Sequence, residues 1–453
     1  MAPGLKGQAK GHRAFCSWDE DSVTMAVEAA RDVLGDRARD SITAATLATT
    51  TPPFADLAGS GIVANALGLD PAVHTLDVAH SVRAGTSGLA AALRSEEGPA
   101  LFIASDRPRG KPASAQEINY GAGAAAFLLG TEGVVAETLA TLSRTEPFVD
   151  HFRAEGARYD YYWEERWIRD AGYLKIATGA IAAALRQADV RPEEVRHFIF
   201  PSPFRGAAAA VAKGAGIPAA AEANSLDERC GYAGAAHAAL MLALTLEQAK
   251  PGDVIVMAAF GQGADVLVLR ATDAITGFAP RRGISGALAD AQLQEAYLRF
   301  LSYEGGIEPE WGMRSEKPVK SSLTEQHRSN YQLGSFVAGK CRRCGTIQFP
   351  QMPYCVDPSC VAPQSEFESQ ALFDEKAAVL TYTADWLSYH PAPPLYVGFV
   401  QFNNGARLLM EMVDVGSAGL DVGTPLRIVF RIKDLDKARG YPRYFWKATP
   451  LQA

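Results

Sequence analysis

The chain has 453 residues, 48% of them hydrophobic and 21% charged, with a formal net charge of -7. This is the make-up of an ordered globular protein, too long for one ordinary core and sized for two or three domains. The charge balance, with no basic patch along the chain, argues against a general nucleic-acid surface. No apolar run reaches the roughly twenty residues of a bilayer span, and Met1–Lys10 carries basic residues without an apolar signal core, so a soluble cytoplasmic protein is expected.

In chain order the first feature is an internal echo across residues 1–275. Ser22–Leu34 has the apolar spacing of a helix after an acidic N-terminal turn, and Ile42–Thr51 reads as a buried strand ending at Pro52. Further on, Tyr173–Ala188 predicts a helix and His197–Phe200 a strand ending before Pro201. Each copy continues with a small glycine-stopped helix (Ile62–Gly68, then Ala207–Gly216), a short strand, and a glycine-interrupted Ala/Leu helix (Gly85–Leu93, then Gly234–Leu246). Each closes on a hydrophobic strand, Ala100–Ala104 and Asp253–Ala259, the second followed by a hairpin over Gly261–Arg270. Alternating helices and strands resemble one another in any α/β protein, but the matched glycines argue for two duplicated α/β halves.

Residues 276–332 read as a linker with one helix, Ala287–Leu301, and a polar stretch, Arg314–Arg328. Residues 333–365 carry a cysteine cluster. Residues 366–453 hold short β-like runs, Ala378–Thr383, Tyr396–Phe402, Ala406–Met412 and Leu426–Arg431, the pattern of a small β-barrel. Cys341-x2-Cys344 and Cys355-x4-Cys360 set two thiolate pairs close together, with Gly345 after the first pair as a knuckle turn requires. Four cysteines complete a tetrahedron and leave no open position, so structural zinc is expected there. Cys16 and Cys230 stand apart and read as small core residues.

WDEDSVTMAVEAAR at Trp18–Arg31, KPASAQEINYGAGAAAFLLG at Lys111–Gly130 and EQAKPGDVIVMAAFGQGAD at Glu247–Asp265 resemble, in this order, blocks of the bacterial and archaeal HMG-CoA synthase-like proteins of the thiolase superfamily. The resemblance implies a five-layered fold of two α/β halves, with the active site at the pseudo-twofold centre where two helix N-termini meet. The family opens with a strand and helix before the first of these blocks. The resemblance therefore implies that part of the first half is missing or supplied by a partner.

In that family a cysteine thiolate at a helix N-terminus holds the acyl group. Setting AHSVRAGTSGL at Ala79–Leu89 against the family's A-C-K-A-G-T pattern puts Val82 at the nucleophile's place. The same comparison puts Pro201 where the family has its histidine, Tyr232 where it has its oxyanion-hole asparagine, and Thr50 where it has its acid. Nucleophile, base and oxyanion donor act as a unit, so losing them together removes most of the rate enhancement. Candidates for a replacement chemistry are Ser81 beside His80, Cys230 and His237. Neighbours on an extended segment point to opposite faces, which weighs against the Ser81–His80 pair.

GSFVAGKCRRCGTIQFPQMPYC at Gly334–Cys355, followed by the barrel, resembles the DUF35 family, a rubredoxin-like zinc ribbon fused to an OB-fold. That resemblance implies thiolase or aldolase partners and a role in shaping an acyl-CoA channel. It makes Arg342, Arg343, Lys433, Arg439 and Arg443 candidate contacts for the phosphates of coenzyme A. The expectation is an acyl-CoA-handling, non-catalytic subunit partnering a genuine thiolase on a β-keto-acyl-CoA, possibly aromatic, in a homo- or hetero-oligomer. The alternative is an active acyl-CoA C-acyltransferase, HMG-CoA synthase-like enzyme, or retro-Claisen or retro-aldol lyase. An OB-fold nucleic-acid binder is the outsider, because fold alone does not set function.

Overall fold

The computed structural model describes residues 5, 10–95, 98–310, 320–417 and 419–451. Most of Met1–Lys10, and residues 314–319 of the polar stretch, lie outside the described residues. The chain divides into two compact units: Met1–Cys16, Asp21–Ala64 and Asp70–Ala291 form the first, and Ser17–Glu20, Asn65–Leu69 and Gln292–Ala453 the second.

The first unit opens on helix α1, Ser22–Leu34, as the spacing predicts. Asp21 caps it by accepting from the Val23 and Thr24 backbone N–H groups, while Thr24 Oγ1 accepts from Asp21 N–H, a capping box that fixes the start. Val23, Ala26, Val27, Ala30 and Leu34 make the buried stripe. Strand β1 (Ala44–Ala48), helix α2 (Gly59–Ala66), strand β2 (His74–Val78), helix α3 (Ala84–Ala92), strand β3 (Ala100–Asp106), helix α4 (Ala115–Asn119) and strand β4 (Gly123–Leu129) complete the first half. Its sheet has the order β2-β1-β3-β4, with β1 parallel to β2 and β3, and β4 antiparallel to β3. Every residue of β3 is buried, as a central strand covered on both faces requires.

The second sheet, β5-β10-β9-β8, is built from β5 (Ala136–Thr145), β8 (Val195–Ile199), β9 (Val254–Phe260) and β10 (Gly263–Ala271). Again a parallel pair, β8–β9, is followed by an antiparallel one, β9–β10. The duplication read from the glycines is therefore in the fold. One step is weaker: the short strand expected in the second copy is reduced to a single parallel bridge between Phe198 and Glu222. The Asn224 side chain accepts from Leu226 N–H and turns the chain there, so no ladder extends.

The helix expected from Tyr173 starts earlier. It runs through Glu165–Trp167, a π-helical stretch Ile168–Ala177 and Thr178–Gln187. The widened turns fall where Gly172 abuts the Phe260 and Phe148 rings. Between β5 and this helix lies a hairpin that no echo predicts, β6 (His151–Phe152) paired with β7 (Tyr161–Tyr162).

The single helix expected over Ala287–Leu301 is two helices, Gly283–Ala289 and Tyr297–Tyr303. Asp290 is drawn to Arg282 at 2.8 Å, and the Gln294 side chain accepts from Ala296 N–H, so local side chains compete with a continuous helix. The border between the two units falls in this break.

In the second unit β11 (Val337–Cys341), β12 (Ile347–Gln348) and β13 (Phe367–Ala371) form a small sheet around the cysteines, in the order β12-β11-β13. A closed barrel follows from β14 (Ala377–Val379), β16 (Leu395–Phe402), β17 (Arg407–Met412), β18 (Pro425–Asp436) and β19 (Tyr441–Pro450). The β14–β16 pairing closes it, and β15 (Thr383–Asp385) extends β16 at the edge. Trp446, Phe336, Phe402 and Phe430 are fully buried in its core. No helix among the described residues is long and apolar enough to cross a membrane.

Candidate functional site

At the centre of the first unit the N-terminus of α3 meets the 3₁₀ turn Gly234–Ala236, which leads into the helix His237–Leu246. The approach is so close that a Cβ on Gly85 would lie 2.1 Å from the Ala235 carbonyl oxygen, so only glycine fits. Asp106, at the end of β3, fastens this meeting point. Its carboxylate accepts from the hydroxyls of Thr50 (2.7 Å) and Thr51 and from Ala235 N–H (2.9 Å). Burial pushes the Asp106 carboxyl up, against the pull of the Thr51 and Thr50 hydroxyls. In the sequence Asp106 is marked only by a carboxylate at the end of a mostly apolar strand.

Val82 sits partly buried immediately before α3, its Cγ2 within 3.1 Å of where a Gly261 Cβ would be. An isopropyl group there can form no thioester. The neighbouring polar groups are committed to structure. Thr86 and Ser87 both donate to Asp265, Arg83 lies 3.5 Å from the same carboxylate, and Ser81 Oγ accepts from Arg83 N–H. His80 is exposed and holds a left-handed backbone, φ 70°, rather than the extended one expected.

Cys230 is buried with its thiol 3.6 Å from the Ala122 carbonyl, and burial pushes it up to about 11, so no thiolate forms near neutral pH. His237 is wholly buried. Its Nδ1 accepts from Ala233 N–H and its Nε2 donates to the Ser225 carbonyl, so both ring nitrogens are used in holding the turn. Burial lowers its basicity further. Cys16, 1% exposed, packs with its sulfur 3.8 Å from that of Met25. None of these three side chains is placed as a nucleophile or base.

A different set of titratable side chains gathers at the same centre. The hairpin β6–β7 brings His151 and Tyr162 opposite each other, with their rings stacked at 4.9 Å. His151 Nδ1 is 2.9 Å from a carboxylate oxygen of buried Asp150. Tyr120 donates to Asp160 at 3.1 Å, and Arg153 pairs with Asp160 at 3.1 Å while also donating to the Thr50 carbonyl. The Tyr120 ring is 6.1 Å from that of Tyr232, and Tyr162 meets Phe204 edge-on at 5.9 Å. Ser202, in the segment that begins at Pro201, faces the Tyr173 hydroxyl at 3.5 Å. The cluster thus touches Thr50, Tyr232 and the loop after β8, three of the places where the family's chemistry was expected. Burial drives the Tyr120, Tyr162 and Tyr232 phenols well above their ordinary range, keeping them protonated donors.

In the second unit the four sulfurs of Cys341, Cys344, Cys355 and Cys360 all lie within 4.8 Å of one another, with the closest pairs 3.7 and 3.5 Å apart. Zinc–sulfur bonds of about 2.3 Å at tetrahedral angles require sulfur separations of about 3.8 Å, so the residues fit the ion. Gly345, φ 78°, makes the turn after the first pair, and the Thr346 hydroxyl oxygen lies 3.2 Å from Cys344 Sγ. Of the candidate phosphate contacts, Arg343 is bound to Glu366, Lys433 to Glu411, Arg439 to the Ser321 carbonyl and Arg443 to Asp434, whereas Arg342 is exposed. A phosphate would have to compete with those partners.

Residues 185–269 match the family model described as 3-oxoacyl-[acyl-carrier-protein] synthase III, C terminal. Over 300 residues the chain is 31% identical to the hydroxymethylglutaryl-CoA synthase of Pyrobaculum aerophilum, covering 63% of this chain and 84% of that one. It is 30% identical over 293 residues to the synthase of the same name from Methanopyrus kandleri, covering 63% and 81%. Among solved structures it is similar to MvaS in complex with 3-hydroxy-3-methylglutaryl coenzyme A, at 21% identity and a TM-score of 0.52 over 66% of this chain and 81% of that one. It is equally similar to the 3-oxoacyl-(acyl carrier protein) synthase III FabH of Pseudomonas aeruginosa PAO1, at 21% identity and a TM-score of 0.52 over 60% and 90%. These structures share the thiolase-like fold.

Proposed function

We propose, for a chain that belongs to the hydroxymethylglutaryl-CoA synthase family, that it acts on acyl-CoA thioesters as a lyase of the retro-aldol or retro-Claisen type and makes no covalent acyl-enzyme. The observation that carries this reading is the exchange at the centre of the first unit. The head of α3 offers Val82 instead of a thiol, while carboxylates, a histidine and protonated phenols collect around Thr50 and Tyr232. General acid–base groups can break the carbon–carbon bond of a β-hydroxyacyl thioester without any nucleophile, and for a β-keto thioester they can activate water or free coenzyme A to attack the keto carbon, each contributing roughly 10²–10⁴-fold.

The test is turnover by the purified chain alone on β-hydroxyacyl- and β-keto-acyl-CoA, with aliphatic and aromatic β-substituents. Release of a shortened acyl-CoA without any second protein is expected. A strict requirement for an added thiolase would overturn it.

That outcome would favour a second reading, a non-catalytic subunit lending acyl-CoA contacts to a genuine thiolase in a hetero-oligomer. Its support is that Thr50, Val82, Pro201 and Tyr232 all depart together from the family's set. In either case the ribbon is proposed to hold structural zinc. A cytoplasmic location is proposed as well. Nucleic-acid binding is not proposed, since Arg431, Arg439 and Arg443 on the barrel are spent on protein partners.

A further inference from the structure

We propose that His151, oriented by Asp150, is the general base that cleaves a β-hydroxyacyl-CoA at the bond between its α and β carbons, an inference that rests on the lyase reading above and names its catalytic residue. Three observations carry it.

The first is the dyad itself. The Asp150 carboxylate can only accept, so the 2.9 Å contact assigns the proton to Nδ1 and leaves Nε2 with its lone pair. The His151 side chain is 14% exposed and that of Asp150 6%, so a buried carboxylate steers a ring that substrate can still reach.

The second is placement. The β6–β7 hairpin is an insertion outside the duplicated halves, and its alternation sends His151 and Tyr162 to one face and Phe152 and Tyr161 to the other. The inward pair is locked over the family's site by Arg153 on the Thr50 carbonyl and by Tyr162 against Phe204.

The third is the set of groups facing the ring, which are Asp150, Asp160, Arg153 and Tyr162. Burial works against the charged imidazole, but the hydrogen bond to Asp150 and the charges of Asp150 and Asp160 outweigh it. They hold His151 above the usual histidine range, with Arg153 opposing. A stronger base suits an alcohol proton.

The step balances without an oxidant or an added reactant. Nε2 takes the proton of the β-hydroxyl, and the oxygen's electrons form a carbonyl as the carbon–carbon bond breaks. The released pair enters the thioester as an enolate, which then takes the proton back from the imidazolium at its α carbon. The products are an aldehyde or ketone and a shorter acyl-CoA. The aromatic walls, Tyr120, Tyr162, Tyr232 and Phe204, favour an apolar or aromatic β-substituent.

The experiment uses the full chain and β-hydroxy-β-phenylpropanoyl-CoA, following benzaldehyde and acetyl-CoA. Wild type is expected to release both, with kcat/KM rising as pH increases through a value above about 6.5, because only the neutral ring is a base. His151→Gln is expected to lower kcat by roughly 10²–10⁴-fold at an unchanged melting temperature. Asp150→Asn should move the acid limb of the pH profile downward, and Cys230→Ala should leave the rate as it is. If wild type turns over and His151→Gln does so equally, the inference falls while the lyase reading stands. If wild type releases neither benzaldehyde nor a shortened acyl-CoA from any aliphatic or aromatic β-hydroxyacyl- or β-keto-acyl-CoA, both fall.

Discussion

Stripping the metal from the four-cysteine ribbon, or replacing Cys341 by Ser, is expected to unfold β11–β13. Around the cysteines the buried apolar cluster is small, Cys341, Cys355 and Ala362 with Cys360 and Phe367 packed against it, and Val337 and Ala338 of β11 add little more, which does not offset the entropy of ordering the segment. Ligation must supply the difference, and structural zinc in comparable small modules contributes about 10–16 kcal/mol of apparent binding energy near neutral pH. Elemental analysis should find one zinc per chain. Chelator should then remove it together with protease resistance over residues 337–371. A ribbon that stays protected without metal would refute a structural ion.

Lys447→Met is expected to destabilise the second unit by about 3–5 kcal/mol, the range seen when one partner of a buried ion pair is removed. Lys447 is completely buried on β19, with its ammonium 3.0 Å from Asp19, 2.9 Å from Glu411 and 4.2 Å above the Trp18 ring. Without it two buried carboxylates face each other. Burial raises Glu411, but His390, Lys447 and Lys433 outweigh it and hold the carboxyl well below its ordinary range.

The sign follows from that direction. A carboxylate depressed in the folded state contributes stability above its unfolded value, about 4.3, and loses that contribution as pH falls toward the folded value. Urea midpoints of wild type should therefore drop on acidification below about pH 4. The Lys447→Met protein should start lower at pH 7 and lose less. Equal midpoints for the two proteins at pH 7 would contradict the account.

The duplicated halves were legible because β3 and β9 are wholly buried central strands that read as near-continuous apolar runs, and because the glycines between the strands mark close approaches such as Gly85 on Ala235. That the four cysteines come together was legible from spacing alone, since four thiols so near in sequence have few other uses. β19 was not, because Pro442, Arg443 and Lys447 break its apolar pattern, and burial of Lys447 depends on Asp19 far away in sequence.

The site was half legible. The resemblance pointed to Thr50, Val82, Pro201 and Tyr232, and the polar cluster gathers beside Thr50 and Tyr232, whereas Cys230 is buried against the Ala122 carbonyl and His237 holds a turn. Asp150 and His151 were passed over because a two-residue strand carries no readable period, and a histidine beside an aspartate in a polar stretch looks like solvated surface. Only the pairing of β6 with β7 turns that dipeptide into an oriented dyad.

A lyase of this kind handles acyl-CoA without a covalent acyl-enzyme. Intact-protein mass spectrometry after incubation with acetyl-CoA and with an aromatic β-hydroxyacyl-CoA, quenched in acid to preserve thioesters, tests it directly. The account predicts the unmodified mass at every time point while shortened acyl-CoA accumulates. A stoichiometric increase by one acyl group, mapped to Cys16, Cys230 or Ser81, would contradict it.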